Sequence, residues 1–214
     1  LHTYKNGKAS ITGMLEDYAF SALACLSVYQ VSGNDEYAKA AKEITEIAIE
    51  KFYDAEKEFF YFNIDNELIV RTTEVYDNVI PSTNSAMVNL LIDLGLIYGN
   101  SGYLQLAENI IGKIQQNISN YPGGHSNWSV AHIKLSKPYY EIAITGPNSE
   151  ALATQLNAMF LPNTVIYFCK SKSNIPLFKD RYNATKTLLY VCKKGVCNLP
   201  VSSIFDALEN IKND

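Results

Sequence analysis

Two stretches of the chain place apolar residues every three or four positions and then break at a glycine. The first is MLEDYAFSALACLSVYQVSG, followed after NDE by YAKAAKEITEIAIEKF; the second is NSAMVNLLIDLGLIYGNSGYLQLAENIIGKIQQNI. Ser32, Gly33 and Asn34 form the first break and Gly99 to Gly102 the second. A glycine ends a helix in the left-handed conformation, and Asn or Asp caps the next one. Each stretch is therefore a helical hairpin, over Gly13 to Phe52 and over Asn84 to Ile118. Laid on one another, the two put Tyr29 near Tyr98 and EYAKAAKEI near GYLQLAENI, a repeat of roughly 65 to 70 residues. A repeated hairpin cannot bury its apolar face alone, so such units stack into solenoids or closed rings.

Between the hairpins, EFFYFNIDNELIVRTTEVYDNVIPS is aromatic and β-branched around a polar turn at Asp65-Asn66, and reads as a short antiparallel hairpin. After NYPGGHSNWSVAHIKLSKP the pattern changes. YYEIAITGP, TVIYFCK and TKTLLYVC read as strands, NSEALATQLNAMF and VSSIFDALENIK as helices. Strand, helix and strand with short connections predict a small parallel sheet. The expected architecture is mainly α: helical hairpins over residues 1–137, then a small α/β unit over 138–214. The Gly146-Pro147-Asn148 turn after the first of these strands is a turn and helix cap, since one glycine falls far short of a phosphate loop.

With 47% hydrophobic residues and a net charge of -4 over 214 residues, the composition is that of a folded protein. No apolar run approaches the roughly 18 residues of a membrane span, and no secretion signal is visible; the expectation is a cytoplasmic protein without a membrane partner. Nucleic acid is excluded as partner because the lysines are scattered rather than gathered on one basic face.

Polar residues gather at two helix starts. Glu16, Asp17 and Tyr18 open the first hairpin, and Glu74 and Asp77 precede Asn84 at the second; aligning the repeats sets Asp17 against Asn84. Asp and Asn at these positions serve as caps, worth about 1 kcal/mol each. Carboxylates and amides around a cavity would also bind a hydroxyl-rich ligand, with a Glu or Asp as acid or base on a sugar. Both readings stand at this point. Trp128, near His125 and His132, could stack on a sugar face, though helix packing is the commoner use of such a residue.

Of four cysteines, Cys25 and Cys169 sit in apolar settings that suit core thiols. Cys192 and Cys197, in CKKGVC, are spaced so that a turn can bring their sulfurs together, and form a candidate redox pair. No further ligand stands near enough to suggest zinc, so no metal and no cofactor is expected.

The order GMLEDYAFSALACLSVYQVSGNDEYAKAA, TTEVYDNVIPSTNSAMVNLL, YYEIAITGP and LLYVCKKGVCNLPV resembles the C-terminal part of the YyaL-like, spermatogenesis-associated thioredoxin-domain proteins. The resemblance covers nearly the whole chain, with Thr83 where the family usually has Gly. It implies helical hairpins of an incomplete (α/α)6 toroid similar to that of N-acylglucosamine 2-epimerases and several glycosidases. It also implies that the chain, beginning at Leu1, is the last third of a longer protein whose thioredoxin-like domain, with a Cys-x-x-Cys pair, and earlier toroid helices would be its partners. The function classes that follow are a carbohydrate-binding or carbohydrate-active ring, a redox-linked module, and a non-catalytic interaction domain. Helices cut from a ring would also leave apolar flanks, and self-association of the chain is expected.

Overall fold

The computed structural model describes residues 1–64 and 71–212. It opens with a small hairpin, β1 (Thr3–Lys5) and β2 (Lys8–Ser10), turning at Asn6-Gly7, both with positive φ. Two antiparallel helix pairs then form the main layer. The first is α1 (Leu15–Ser32) with α2 (Asp35–Phe52); the second is α3 (Thr83–Tyr98) with α4 (Ser101–Asn120). The breaks have the expected chemistry. Gly33 and Gly99 are left-handed at φ 62° and 59°, the Asn34 side chain accepts from the Glu36 N–H, and Asn100 accepts from those of Gly102 and Tyr103.

α3 is buried on almost every side because α1, α2, α4 and α5 (Ser126–Ser136) all pack on it. Its sequence accordingly has no polar face. By contrast α2 and α4 keep one apolar face inward, through Ala38, Ala41, Ala48 and Phe52 on one and Ala107, Ile110, Ile111 and Ile114 on the other. α5 follows a 3₁₀ turn at Pro122–Gly124 and seats the fully buried Trp128, whose indole N–H donates to the Val75 carbonyl at 2.8 Å. Trp128 is thus a packing residue.

Between the pairs, β3 (Tyr53–Asp54) meets β4 (Phe59–Phe60) antiparallel. This hairpin lies ahead of the one anticipated around Asp65-Asn66, a turn that falls outside the described residues. Beyond it Phe62 donates to the Thr72 carbonyl at 2.8 Å, so the two flanks of that segment do meet.

The C-terminal sheet corrects an expectation. Its strands run β6 (Thr164–Cys169), β5 (Tyr140–Thr145), β7 (Leu188–Lys193), β8 (Val196–Cys197); β5 and β6 are parallel, but β7 and β8 are antiparallel to their neighbours. The sheet is mixed, not parallel. The reason lies in the connections. α6 (Ser149–Asn157) supplies the crossover that a parallel neighbour needs, whereas residues 170–187 between β6 and β7 hold no helix and β7 returns on the far side of β5. That connection instead reaches into the helical layer, where Leu177 donates to the Ile97 carbonyl at 3.1 Å.

α6 and α7 (Ile204–Lys212) cover one face of the sheet, on Ile142, Ile144, Ile166, Phe168, Leu189 and Val191. The other face carries Ala143, Val165, Tyr167, Cys169 and Cys192, which belong to the same continuous core as α1, α2 and α3. Tyr29 of α1 stacks on Tyr167 with ring centres 5.6 Å apart. A Cβ on Gly33 would come within 2.9 Å of the Phe168 carbonyl, so that glycine serves close approach as well as the turn. Among the described residues, no helix is long and apolar enough to cross a membrane.

Candidate functional site

The polar cluster at the start of α3 is a closed network. Asp77 Oδ1 accepts from the Ser82 N–H at 2.9 Å and the Ser85 hydroxyl at 2.7 Å, and its Oδ2 accepts from the Asn127 N–H at 2.8 Å. Glu74 Oε2 accepts from the Thr83 N–H at 3.2 Å. Asn84, fully buried, accepts from the Phe60 N–H at 2.8 Å and donates to the Phe60 and Glu74 carbonyls, both at 2.9 Å. Three side chains therefore tie the irregular segment before α3 to β4, to α5 and to the first turn of α3. One cap would need only Ser82, which accepts from the Ser85 N–H. The other groups satisfy backbone that leaves regular structure and goes under the surface.

At α1, Asp17 caps its own helix by accepting from the Met14 N–H at 2.8 Å, and meets the His2 ring at 3.0 Å. Glu16 and Tyr18 are half-buried beside it, Tyr18 edge-on to Phe52 at 5.3 Å. Phe62 links the start of α1 to the segment that leads toward α3: its carbonyl accepts from the Leu15 N–H and its N–H donates to the Thr72 carbonyl. An open groove of about 390 Å³ runs there, lined by Phe62, Thr72, Thr73, Glu74, Val75 and Tyr76. Of the six rim residues, Glu74 alone reaches it.

A second cluster forms on the sheet. Glu141 of β5 stands directly opposite Cys192 of β7, and Cys192 opposite Cys197 of β8. Cys192 and Cys197 are disulfide-bonded, their Cα atoms 3.8 Å apart. Lys194 and Gly195, both with positive φ, make the two-residue turn that lays one cysteine over the other. Arg181 reaches across from the β6–β7 connection. Its Nη1 lies 3.0 Å from Cys197 Sγ and 3.6 Å from Cys192 Sγ. The Arg181 carbonyl is held by the Thr145 hydroxyl at 3.1 Å, and its guanidinium lies 5.0 Å from the Tyr190 ring centre.

Glu141 has no exposed surface. Its carboxylate faces a cavity of about 50 Å³ bounded by Leu104, Leu135, Tyr139, Lys134 and Lys194. The Lys194 and Gly195 amides lie near the carboxyl group, but neither of its oxygens has a hydrogen bond of ordinary geometry. Burial pushes its pKa up to about 7, against the smaller opposing pull of those amides. Lys134, which lines the same cavity, is paired with Asp93 at 2.8 Å. The other cysteines behave as core: burial raises the Cys169 thiol to about 12, and Cys25 is half-buried and free.

Glu141 and Arg181 escaped the sequence reading. A lone Glu inside YYEIAIT, a strand otherwise fit for burial, is the signal for the first; Arg181 has none, because its partner sulfurs arrive through the fold.

No family model matches the chain. It is 28% identical over 217 residues to an uncharacterized protein of Caenorhabditis elegans, covering 98% of this chain and 30% of that protein. It is 19% identical to spermatogenesis-associated protein 20 of Rattus norvegicus and of Homo sapiens, covering 89% and 94% of this chain and 26% and 27% of those proteins. The chain spans less than a third of the length of the curated relatives it matches.

Proposed function

We propose that the chain is the C-terminal part of a longer protein similar to spermatogenesis-associated protein 20, where its helix pairs belong to an α/α toroid and Cys192 and Cys197 make it a redox-linked module. The observation that carries this reading is the Arg181 guanidinium 3.0 Å from the sulfur of Cys197, the more accessible of two bonded cysteines. A cation at that distance stabilises a thiolate, which is both the product of reduction and the nucleophile of exchange. A disulfide made only for stability has no use for one. In a cytoplasmic setting a disulfide is transient and redox-active rather than structural. The reducing partner would be the Cys-x-x-Cys pair of a thioredoxin-like domain in the rest of such a protein.

Carbohydrate binding at Glu16, Asp17, Tyr18, Glu74, Asp77 and Asn84 is the weaker reading. Asp77 and Asn84 are already committed to backbone and to Ser85, and Asp17 to the Met14 N–H and the His2 ring, which leaves little to recognise hydroxyls.

Equilibration of the folded protein in glutathione buffers of graded ratio, followed by alkylation and mass measurement, tests the reading. The pair should pass from oxidised to reduced within ratios found in reducing compartments while Cys25 and Cys169 stay thiols throughout. A pair that remains bonded until the protein unfolds refutes it.

A further inference from the structure

We infer that Glu141 is the proton carrier of the Cys192–Cys197 pair, delivering a proton to Cys192 when the disulfide is reduced and removing it when the disulfide reforms. The inference rests on the redox reading above and adds a residue and a direction of attack to it.

The two sulfurs are unequal. Cys192 is 1% exposed, faces the core and sits opposite Glu141; Cys197 is half-buried at the sheet edge and faces Arg181. Directly opposed residues of an antiparallel pair hold their Cβ atoms about 5 Å apart, which brings a Glu carboxyl within reach of a Cys sulfur. An incoming thiolate therefore meets Cys197 first, and the leaving thiolate forms on Cys192, away from water. A buried thiolate is costly, and Arg181, 3.0 Å from Cys197 Sγ but 3.6 Å from Cys192 Sγ, gives the Cys192 sulfur the weaker share of its charge. An acid beside Cys192 removes that cost. Glu141, holding its proton to about pH 7, is such an acid.

The reaction balances with a dithiol as reductant. One thiol of the dithiol loses its proton to solvent, and its thiolate bonds to Cys197 Sγ. The bond between Cys197 and Cys192 breaks, and its electron pair goes to Cys192 Sγ. Glu141 gives its proton to that sulfur and becomes a carboxylate. The second thiol of the dithiol, deprotonated by solvent, attacks its own sulfur in the mixed disulfide, expels Cys197 as a thiolate against Arg181, and leaves as a cyclic disulfide. Solvent reprotonates Glu141 through the adjoining cavity, whose roughly 50 Å³ has room for about one or two waters. Two electrons have passed to the pair, and Cys197 takes its own proton from solvent.

The groups facing Glu141 are known. They are Lys134 from α5, already paired with Asp93; Glu108 from α4; Tyr139 ahead of β5; Lys194 from the β7–β8 turn; Cys192 from β7; and, across that sulfur at 3.6 Å, Arg181 from the β6–β7 connection, charged throughout the pH range. Tyr139 is pushed well above its ordinary range by burial and stays neutral throughout. No histidine borders the cavity, so a transition near pH 7 belongs to Glu141.

The test is the rate at which dithiothreitol reduces the folded chain between about pH 6 and pH 8.5, read by quenched alkylation and divided by the dithiothreitol thiolate concentration. For the wild type the corrected rate should be level below about pH 7 and fall about tenfold per pH unit above it. Glu141→Gln should be level across the range and at least about tenfold slower than wild type at pH 6. A level wild-type profile overturns the inference without needing any variant. So does a Glu141→Gln profile that is level at the wild-type pH 6 rate, since the side chain would then act only as a charge. A disulfide that dithiothreitol never opens in the folded protein overturns the redox reading itself, and the proton carrier with it.

Discussion

A carboxylate buried away from bulk water makes folding depend on its protonation, and Glu141 is such a group. Burial raises its pKa from an ordinary 4.5 to about 7 in the folded chain. The folded state thus binds the proton more tightly. The contribution is fully present below about pH 4.5 and is lost as the pH rises through 7. Glu141→Gln keeps the shape and removes the charge. It should match the wild type near pH 4 and exceed it near pH 8 by up to a few kcal/mol, read from urea midpoints at the two pH values. Equal midpoints at the higher pH would mean that the amides of Lys194 and Gly195 solvate the carboxylate fully. Sequence gives unequal access to residues of this kind. Asp77 and Asn84 are visible as polar groups before a helix, but whether they face a ligand or a loop depends on Phe60 and Asn127, which lie 24 and 50 residues away from Asn84 and Asp77 respectively. The opposition of Glu141 and Cys192 depends on the register of two strands and was out of reach.

Among the elements, the β7–β8 hairpin is the one whose bond can open without dismantling anything. Cys192 and Cys197 are separated by 5 positions, so the loop they close is short, and its constraint on the unfolded chain is worth only about 2 kcal/mol. β8 is an edge strand of two residues, and the Lys194-Gly195 turn and the β5–β7 ladder hold the hairpin without the bond. Replacing both cysteines by serine should therefore lower stability by about 2 kcal/mol and leave the far-ultraviolet circular dichroism unchanged. Loss of the folded signal would assign the bond a purely structural role and count against the redox reading. The elements differ in how openly the sequence announces them. The hairpin breaks are legible because Gly33, Asn34, Gly99 and Asn100 act within a few residues of themselves. β1 and β2 are announced only by their Asn6-Gly7 turn, since strands of three largely exposed residues carry no apolar alternation. α5 carries little periodic signal, because of its residues Trp128 and Ala131 alone are fully buried, too few for an apolar stripe. The antiparallel return of β7 is set by where residues 170–187 anchor, through Leu177 on Ile97, and that is a tertiary fact.

At the scale of the whole molecule, the question is what covers α1. Leu15, Ala19, Ala22, Leu26 and Tyr29 face the core, and the sheet lies over the helix end through Tyr167 and Phe168. Another stripe points outward. Ser21, Ala24, Val28 and Val31 are exposed, spaced three and four apart, with Val28 at 38% and Val31 at 69% of their full surface. Tyr37 and Ile47 of α2 are exposed as well. A helix that is apolar on opposite faces is ordinarily covered on both. In the longer relatives, sequence outside the span matched by this chain could supply the cover; for this chain alone, a second copy is the available surface. We therefore expect it to self-associate through α1, with a mass in light scattering that rises with protein concentration. Val28→Lys combined with Val31→Glu should return it to a monomer without loss of thermal stability, because neither side chain is buried in the single chain. One monomeric mass at every concentration would defeat the expectation. The sheet would then be cover enough, and the outward valines would be ordinary surface, of the kind that folded proteins expose singly without consequence.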